Sequence, residues 1–504
     1  MKIRDILEKI QVTKARIPDE LYRRTILSLC HNSAQACPTS AFFCKKGAVT
    51  DGHTYAYSAY LNGARIFIAE RELDLPQDAA VIITPNSALA LATLSVDFYG
   101  DPSKKLKLIG ITGTKGKTTV AISLYNIASA CKINCGYIGT NGIFYGGKQY
   151  QTANTTPDVV QLQQTLADMV ECGVTTVFIE VSSQALWQER IFGLSFESCV
   201  FTNLYTDHIG GYEHPTFEHY RDCKKLLFSK YCTKNIIVNA DSEYCDFMLS
   251  DVNDKNIIKV SAKGSDLCDL YAKNAMKLKR KGIPGVSFDC FIKNVKGKKD
   301  IFIPMPGIYN VENVLLVMAV CRTLGLSDGE VADELAHLCV GGRFETVELE
   351  CRKGVLFIID YAHNGASLTA VLKSLREYEP KRIICLFGSV GGRTFGRRRE
   401  LGEAARDGSD VLIITSDNPN REDPMSVIND INDAVGQTDK PVYLIPDRAD
   451  AIKKAVEIAQ DGDYVLLAGK GHENYQLIDG IRTEFSERHI LKIADAIFSA
   501  DIKQ

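Results

Sequence analysis

The chain predicts an α/β protein of three domains, and three observations predict it. Its 504 residues exceed what a single hydrophobic core serves, so about three domains are expected. Short apolar runs alternate with helix-patterned stretches from end to end, the rhythm of strands joined by helices in mostly parallel sheets. At Leu108 to Thr119 an apolar strand runs into a glycine-lysine-threonine loop and then into a helix, which marks one domain as a phosphate binder.

Taken in order, Ala64 to Ala69 and Ala79 to Thr84 read as strands of a small N-terminal α/β domain, residues 1–103. Polar Asp101 to Lys105 reads as the linker that follows it. The central domain, residues 104–340, carries strands at Lys107 to Thr112, Val177 to Val181, Ser198 to Asn203 and Asn235 to Ala240. It closes with an apolar-faced helix at Asn310 to Leu324. Gly341-Gly342-Arg343 reads as a hinge into a Rossmann-like α/β domain, residues 341–504, with strands at Val355 to Asp360, Arg382 to Phe387, Val411 to Thr415 and Tyr464 to Leu467.

The loop Gly113-Thr114-Lys115-Gly116-Lys117-Thr118-Thr119 has the parts of a triphosphate cradle. Its glycines let backbone N–H groups turn toward phosphate oxygens, and the next helix, expected over Thr118 to Ala130, presents its positive end. Lys117 is placed to reach the outer phosphates and Thr118 to hold Mg²⁺. The loop departs from the common G-x-x-x-x-G-K-[ST] form, since Ile111 stands five positions before Gly116. A carboxylate at the end of a buried strand, Glu180, suits the same Mg²⁺ shell.

Further along, Thr206-Asp207-His208 offers an imidazole for a second metal ion or a phosphate, and Lys224 and Lys225 read equally as a solvated helix face. Asn310 and Asn313, one turn apart, suit an adenine edge. Arg343 suits the γ-phosphate, and Asp360, at the end of a strand, suits ribose hydroxyls.

Composition bounds the alternatives. A net charge of −3 gives no reason to expect nucleic acid or an anionic membrane surface as partner. No apolar run approaches the roughly 20 residues of a membrane span, and Met1 to Asp5 lacks the apolar region of a secretion signal. A cytoplasmic monomer is expected. The sixteen cysteines show no paired C-x-x-C pattern and read as reduced core thiols; Cys131 and Cys135 lack a nearby partner for metal binding.

These motifs occur in the order found in the Mur ligase family, which the chain resembles over nearly its whole length, in particular the branch that adds the third residue of the peptidoglycan stem. The resemblance rests on GTKGKTT, YIGTNG at Tyr137 to Gly142, NTTPD at Asn154 to Asp158, EVSS at Glu180 to Ser183 and FTNL-TDH at Phe201 to His208. It continues through HY-x3-K at His219 to Lys224, PG-x-YN at Pro306 to Asn310, GR-x-E at Gly342 to Glu345, DYAH at Asp360 to His363, DNP at Asp417 to Pro419 and GKGHE at Gly469 to Glu473. It implies three domains that bind UDP, ATP and an incoming amino acid. ATP phosphorylates a carboxylate, and the amino acid's amine attacks the acyl phosphate. Developing negative charge at each step explains a need for two Mg²⁺ ions, Lys117 and Arg343.

The likeness further implies that Lys224 is carbamylated and holds the second Mg²⁺ with His208. Thr155, Thr156, Ser182, Gln188 and Arg190 would hold the peptide end of a UDP-linked muramoyl dipeptide, and Ser33 its nucleotide. Here the chain departs from the family pattern, with Asn32-Ser33-Ala34 in place of Asp-Ser-Arg and Gln184 in place of histidine after EVSS.

In the third domain the family reads its amino acid with Asp417, Asn418, the residue after Pro419, Gly469 and Glu473, while Arg393 or Arg397 would hold the α-carboxylate. Diaminopimelate-adding members carry DNPR. This chain has Asn420 there, which cannot offer the bidentate fork that arginine gives a carboxylate, a contact worth roughly 1.5–3 kcal/mol. L-Lysine is therefore expected, with Arg421 keeping meso-diaminopimelate second. The Arg397-Arg398-Arg399 run reads equally as a solvated helix face. Alternatives are a divergent paralogue that joins another amino acid, a ligase like folylpolyglutamate synthetase, and a nucleotide-binding scaffold.

Overall fold

The computed structural model describes every residue except 48–49, 208, 212, 393–394 and 503–504, and every side chain except those and residues 296 and 500–502. The chain forms two compact units. One comprises Met1–Ser261, Leu267–Asp269 and Leu316–Leu326; the other comprises Ala262–Asp266, Leu270–Leu315 and Ser327–Gln504.

The first unit contains two sheets. Near the N-terminus, five strands lie in the order Lys14–Arg16, Ala80–Ile83, Ile66–Ala69, Ser40–Phe43 and Ser28–Cys30, parallel except for the first. The larger sheet runs Asn256–Ser261, Cys232–Asn239, Phe196–Phe201, Lys107–Thr112, Thr176–Glu180 and Cys135–Gly139, all parallel. Its central strands are buried on both faces, as Lys107–Thr112 shows beyond its first residue. The strand that precedes the glycine loop therefore sits mid-sheet, between Thr176–Glu180 and Phe196–Phe201. This register delivers Thr112, Glu180 and Phe201 side by side at the carboxyl ends of their strands, where ligands bind in open parallel sheets.

The second unit contains a six-stranded sheet in the order Glu345–Val347, Leu356–Asp360, Tyr464–Ala468, Ile383–Phe387, Val411–Ile414 and Val442–Leu444. It is parallel apart from its first strand. The pleat divides its apolar residues between two cores: Ile358, Cys385, Leu412 and Leu466 pack on one side, and Phe357, Ile384, Ile413 and Leu467 on the other. The α/β class and the mostly parallel central and Rossmann-like sheets expected from the sequence are present.

The alternating pattern did not reveal the antiparallel additions. Gly142–Tyr145 and Lys148–Tyr150 extend one edge of the large sheet. Leu270–Arg280, Ile283–Ile292 and Val295–Ile303 form a meander in the second unit, and Tyr475–Ile478 pairs with Ile481–Glu484. Many of these strands are half-exposed and carry charged residues at apolar-strand positions, so they lack the continuous apolar runs that mark the parallel ones.

Candidate active site

In the first unit the glycine loop is held open by its neighbours. Gly113 has φ +150°, and a Cβ there would lie 1.9 Å from the Thr202 hydroxyl, so no other residue fits. The Thr114 amide donates to the Asn203 carbonyl at 2.9 Å, the Lys115 amide to the Asn203 side chain at 2.9 Å, and the Thr202 hydroxyl to the Lys115 carbonyl at 2.6 Å. Gly116, φ +86°, turns the chain into the helix Lys117–Ala130, one residue earlier than its expected start; Thr119 lies in the first turn.

Two lysines converge on this loop. Lys117 donates to the carbonyls of Gly113 and Thr114 at 2.9 and 3.1 Å, and Lys224 donates to the Gly113 carbonyl at 2.9 Å. Lys224 projects from the helix Phe217–Leu226, is 1 % exposed and sits 4.6 Å from the Tyr220 ring centre. Burial, reinforced by the Lys117 charge, pushes its pKa well below the usual lysine range. Lys225 instead points outward to Asp251 at 2.5 Å. Tyr220 and Thr114 share a hydroxyl–hydroxyl hydrogen bond of 2.9 Å, which ties the lysine helix to the loop.

Glu180 ends its strand fully buried. It accepts from the Thr118 hydroxyl at 2.8 Å, the Tyr137 hydroxyl at 2.5 Å, and the Thr140 amide and hydroxyl at 3.0 and 3.2 Å. Gly139 leaves room for it, since a Cβ there would lie 2.2 Å from a Glu180 oxygen. Thr118 and Glu180 thus place two hard oxygen donors side by side on the phosphate loop, a donor set that fits Mg²⁺.

Next to this pair lie most of the residues that the resemblance implies for the peptide end. Thr155 and Thr140 share a hydroxyl contact of 3.1 Å, and the Thr156 hydroxyl donates to the Glu180 carbonyl at 2.7 Å. Ser182 caps the short helix Ser183–Trp187 by accepting from the Ala185 amide at 3.1 Å. Arg190 donates to the Thr156 carbonyl at 2.9 Å and to the Gln188 side chain at 2.8 and 3.1 Å. Ser33 starts a 3₁₀ turn capped by Asn32, and the structure gives it no hydrogen bond to this group. His208 and Arg393 lie outside the described residues.

The second unit holds the remaining candidates. Asn310 and Asn313 are buried in the first turn of the helix Tyr309–Thr323, joined to each other at 3.2 Å, with Asn310 donating to the Pro306 carbonyl at 2.8 Å. Asp360 accepts from the amides of Phe344 and Ala362, each at 2.9 Å, so it first pins the Gly341–Phe344 turn; burial raises its pKa. The Arg343 guanidinium lies 4.9 Å from the centre of the Tyr361 ring.

Asp417, Asn418 and Glu473 meet around a residue that motif reading passed over. Lys470, fully buried, donates to Asp417 at 3.3 Å, Asn418 at 3.1 Å and Glu473 at 3.2 Å, while Asn418 donates to Glu473 at 3.0 Å. Gly469 has φ +114°, and a Cβ there would lie 3.1 Å from an Asp417 carboxylate oxygen. Asn420 takes φ +57°, which asparagine tolerates well. Its amide donates to the Leu477 carbonyl at 2.8 Å, and its carbonyl accepts from the Asp479 amide. The arginine run is not one solvated face: Arg398 is 1 % exposed and pairs bidentately with Glu422 at 2.9 and 2.6 Å and with Asp430 at 2.6 Å. Arg399 is exposed, and Arg397 is half-buried. Sequence gave no local sign of the Lys470 and Arg398 networks beyond the presence of Lys470 in GKGHE.

Residues 25–99 match the Mur ligase family catalytic domain, 111–321 the Mur ligase middle domain and 342–471 the Mur ligase glutamate ligase domain. Among curated relatives, the UDP-N-acetylmuramoyl-L-alanyl-D-glutamate--2,6-diaminopimelate ligase of Clostridium botulinum is 35 % identical over 475 residues, 93 % of this chain and 95 % of that one. The Geobacillus thermodenitrificans enzyme of the same name is 36 % identical over 503 residues, 96 % of this chain and 99 % of that one. A solved structure of a ligase of that name superposes with a TM-score of 0.67 at 28 % identity, covering 99 % of each chain. Folylpolyglutamate synthase of Mycobacterium tuberculosis shares the fold, with a TM-score of 0.60 at 17 % identity over 75 % of this chain and 91 % of that one. With relatives this similar over nearly its full length, the chain belongs to the Mur ligase family and is an ATP-dependent ligase.

Proposed function

We propose that the enzyme adds L-lysine to UDP-N-acetylmuramoyl-L-alanyl-D-glutamate, the third amino acid of the peptidoglycan stem, by way of an acyl phosphate. The observation that carries the mechanism is the buried Lys224 on the same loop carbonyl as Lys117, beside the Thr118–Glu180 oxygen pair. A free carboxylate is a poor electrophile at neutral pH. Transfer of the ATP γ-phosphoryl group to it supplies a leaving group; the lysine amine then attacks, and the tetrahedral adduct collapses to amide and phosphate. Lys117 and the loop amides neutralise the transferring phosphoryl group, and Arg343, Asn310, Asn313 and Asp360 serve ATP. Thr118 and Glu180 would hold one Mg²⁺, and Lys224 with His208 a second; the ions supply electrostatic stabilisation of phosphoryl oxygens.

Lys224 suits carbamylation because its depressed pKa supplies the neutral amine that attacks CO₂, forming a carbamate and releasing a proton. The product is an anionic oxygen donor where a cation stood, as a hard divalent ion prefers. Thr155, Thr156, Ser182, Gln188 and Arg190 would hold the peptide end of the nucleotide substrate, and Ser33 its uridine end. Asp417 and Glu473, oriented by Lys470, would meet the incoming amine, with Asn418 and Gly469 shaping the pocket and Arg393 or Arg397 on the α-carboxylate. The division of labour follows residues 1–103 for UDP, 104–340 for ATP and 341–504 for the amino acid.

Diaminopimelate is the second reading. Arg421 lies one residue past Asn420, and the curated relatives act on 2,6-diaminopimelate by name. Phosphate release with the dipeptide nucleotide and, in turn, L-lysine, meso-diaminopimelate and L-ornithine separates the readings; silence with all three overturns the assignment. A cytoplasmic monomer completes the proposal. Among the described residues no helix is long and apolar enough to cross a membrane.

A further inference from the structure

We propose that His214, His219 and Cys223 form a binding site for a zinc-type transition-metal ion, distinct from the oxygen-lined Mg²⁺ position at Thr118 and Glu180. His219 and Cys223 stand four residues apart on the helix Phe217–Leu226 and so share one face. His214 reaches them from the preceding loop, which Thr216 locks to the helix by accepting from the His219 amide at 3.2 Å. The Nδ1 atoms of the two histidines lie 2.8 Å apart, Cys223 Sγ lies 3.8 Å from His219 Nδ1, and the three ligand atoms all fall within 4.8 Å of one another. A tetrahedral zinc site needs edges of about 3.3 Å between nitrogens and about 3.6 Å between nitrogen and sulfur, given its bond lengths. The 2.8 Å between nitrogens is shorter than that edge and the 3.8 Å between nitrogen and sulfur slightly longer, so an ion would part the two rings and draw the thiolate in.

The surroundings support the same assignment. His214 Nε2 is paired with the Ser183 hydroxyl at 2.8 Å, which orients the ring so that Nδ1 faces the other two ligands. His214 and Cys223 are buried, and the Trp187 ring walls the cluster with its centre 5.4 Å from His214 and 4.9 Å from His219. Imidazole nitrogens and a thiolate select Zn²⁺ or Co²⁺ over Mg²⁺. Binding replaces the proton shared between the two Nδ1 atoms and the thiol proton, which leave to solvent. Among the described residues three side chains supply ligands, and water would take the fourth tetrahedral position. An ion here ties Ser183, three residues past Glu180, to the helix that carries Tyr220 and Lys224, and so steadies the phosphate-loop lysine without touching substrate.

Trp187 is the sole tryptophan of the chain and is therefore a built-in reporter. Full-length enzyme in excess Mg²⁺ is titrated with Co²⁺ while Trp187 fluorescence and near-ultraviolet absorption are followed. One equivalent is expected to quench the fluorescence and to produce a thiolate-to-cobalt charge-transfer band. Cys223→Ser, close in size to the native residue, is expected to abolish the band, and His219→Gln to weaken binding at least tenfold. Zn²⁺ should raise the melting temperature of the unsubstituted enzyme but not of Cys223→Ser, with circular dichroism confirming that the variant is folded. Absence of the band at one equivalent, a band retained in Cys223→Ser, or equal Zn²⁺ stabilisation of both proteins overturns the proposal.

Discussion

Lys224 and Lys470 are both buried cations, and their surroundings give them opposite chemistry. Lys224 is buried and has a second lysine, Lys117, beside it, so its ammonium form is disfavoured and the neutral amine becomes available. Lys470 is surrounded by two carboxylates and an amide oxygen, so its charge is compensated. For Lys224 the folded pKa lies below the ordinary lysine value, so the neutral amine gains population as pH rises through that lowered value. Enzyme stripped of CO₂ at low pH should therefore regain activity on bicarbonate addition, more fully toward alkaline pH. Lys224→Ala should lose at least ~100-fold in kcat, as when a preorganised transition-state contact is removed. Small carboxylate anions should partly restore it, and full turnover in the alanine variant without them would reject the carbamate role. For Lys470 the outcome differs: Lys470→Met leaves buried Asp417 and half-buried Glu473 without their cation, a change that costs about 3–5 kcal/mol. Thermal unfolding should show that loss, and KM for the amino acid should rise while KM for ATP stays level.

At the scale of elements, Asn420, the position proposed to face the amino acid, rests on a hairpin. Asp479-Gly480 links Tyr475–Ile478 to Ile481–Glu484 with both residues at positive φ, a type I′ turn. Asp479 holds the Asn420 carbonyl from below, and the Arg421 side chain lies against Gly480. Asn420→Arg should shift preference toward meso-diaminopimelate by roughly 10–100-fold, the worth of one charge-assisted fork. It should also lower stability by about 1 kcal/mol, because arginine lacks asparagine's tolerance of left-handed backbone. Competition between the two amino acids reads the first effect and thermal unfolding the second; an unchanged preference would mean that position 420 does not face the substrate. The same turns show what was legible. Gly146-Gly147, Lys281-Gly282 and Asp479-Gly480 each join paired strands with two positive-φ residues, and two-residue turns that end in glycine signal hairpins. The strands around them mix lysine with apolar residues, so the alternation of long apolar runs and helices pointed only to the parallel sheets. Thr118 and Glu180 were legible because a loop and a strand end announce their chemistry locally. Lys470 and Arg398 were not, since the Lys470 partners Asp417 and Asn418 lie 53 and 52 residues away, the Arg398 partners 24 and 32, and only folding brings them together.

Across the whole molecule, the chemistry is divided. The first unit carries the phosphate loop, Glu180 and Lys224; the second carries the asparagine pair, Arg343 and the Asp417–Lys470–Glu473 network. On the proposed roles, neither unit alone holds both a phosphoryl-transfer set and an amine-receiving set, and an acyl phosphate commits the phosphoryl group to a carboxylate already bound. ATP hydrolysis should therefore be almost silent with ATP and Mg²⁺ alone, and phosphate release should rise at least ~100-fold when the dipeptide nucleotide and the correct amino acid are both present, since binding energy is realised only along the coupled path. With the nucleotide but no amino acid, ADP should appear only as a burst of up to one equivalent, since the γ-phosphoryl group stays on the acyl phosphate that forms and then waits. Steady turnover without the nucleotide would mark an ATP-driven motor or switch, and a scaffold would show neither burst nor turnover. Hydroxylamine added to the burst state should yield the hydroxamate of the nucleotide's terminal carboxyl group, which neither a switch nor a scaffold can form.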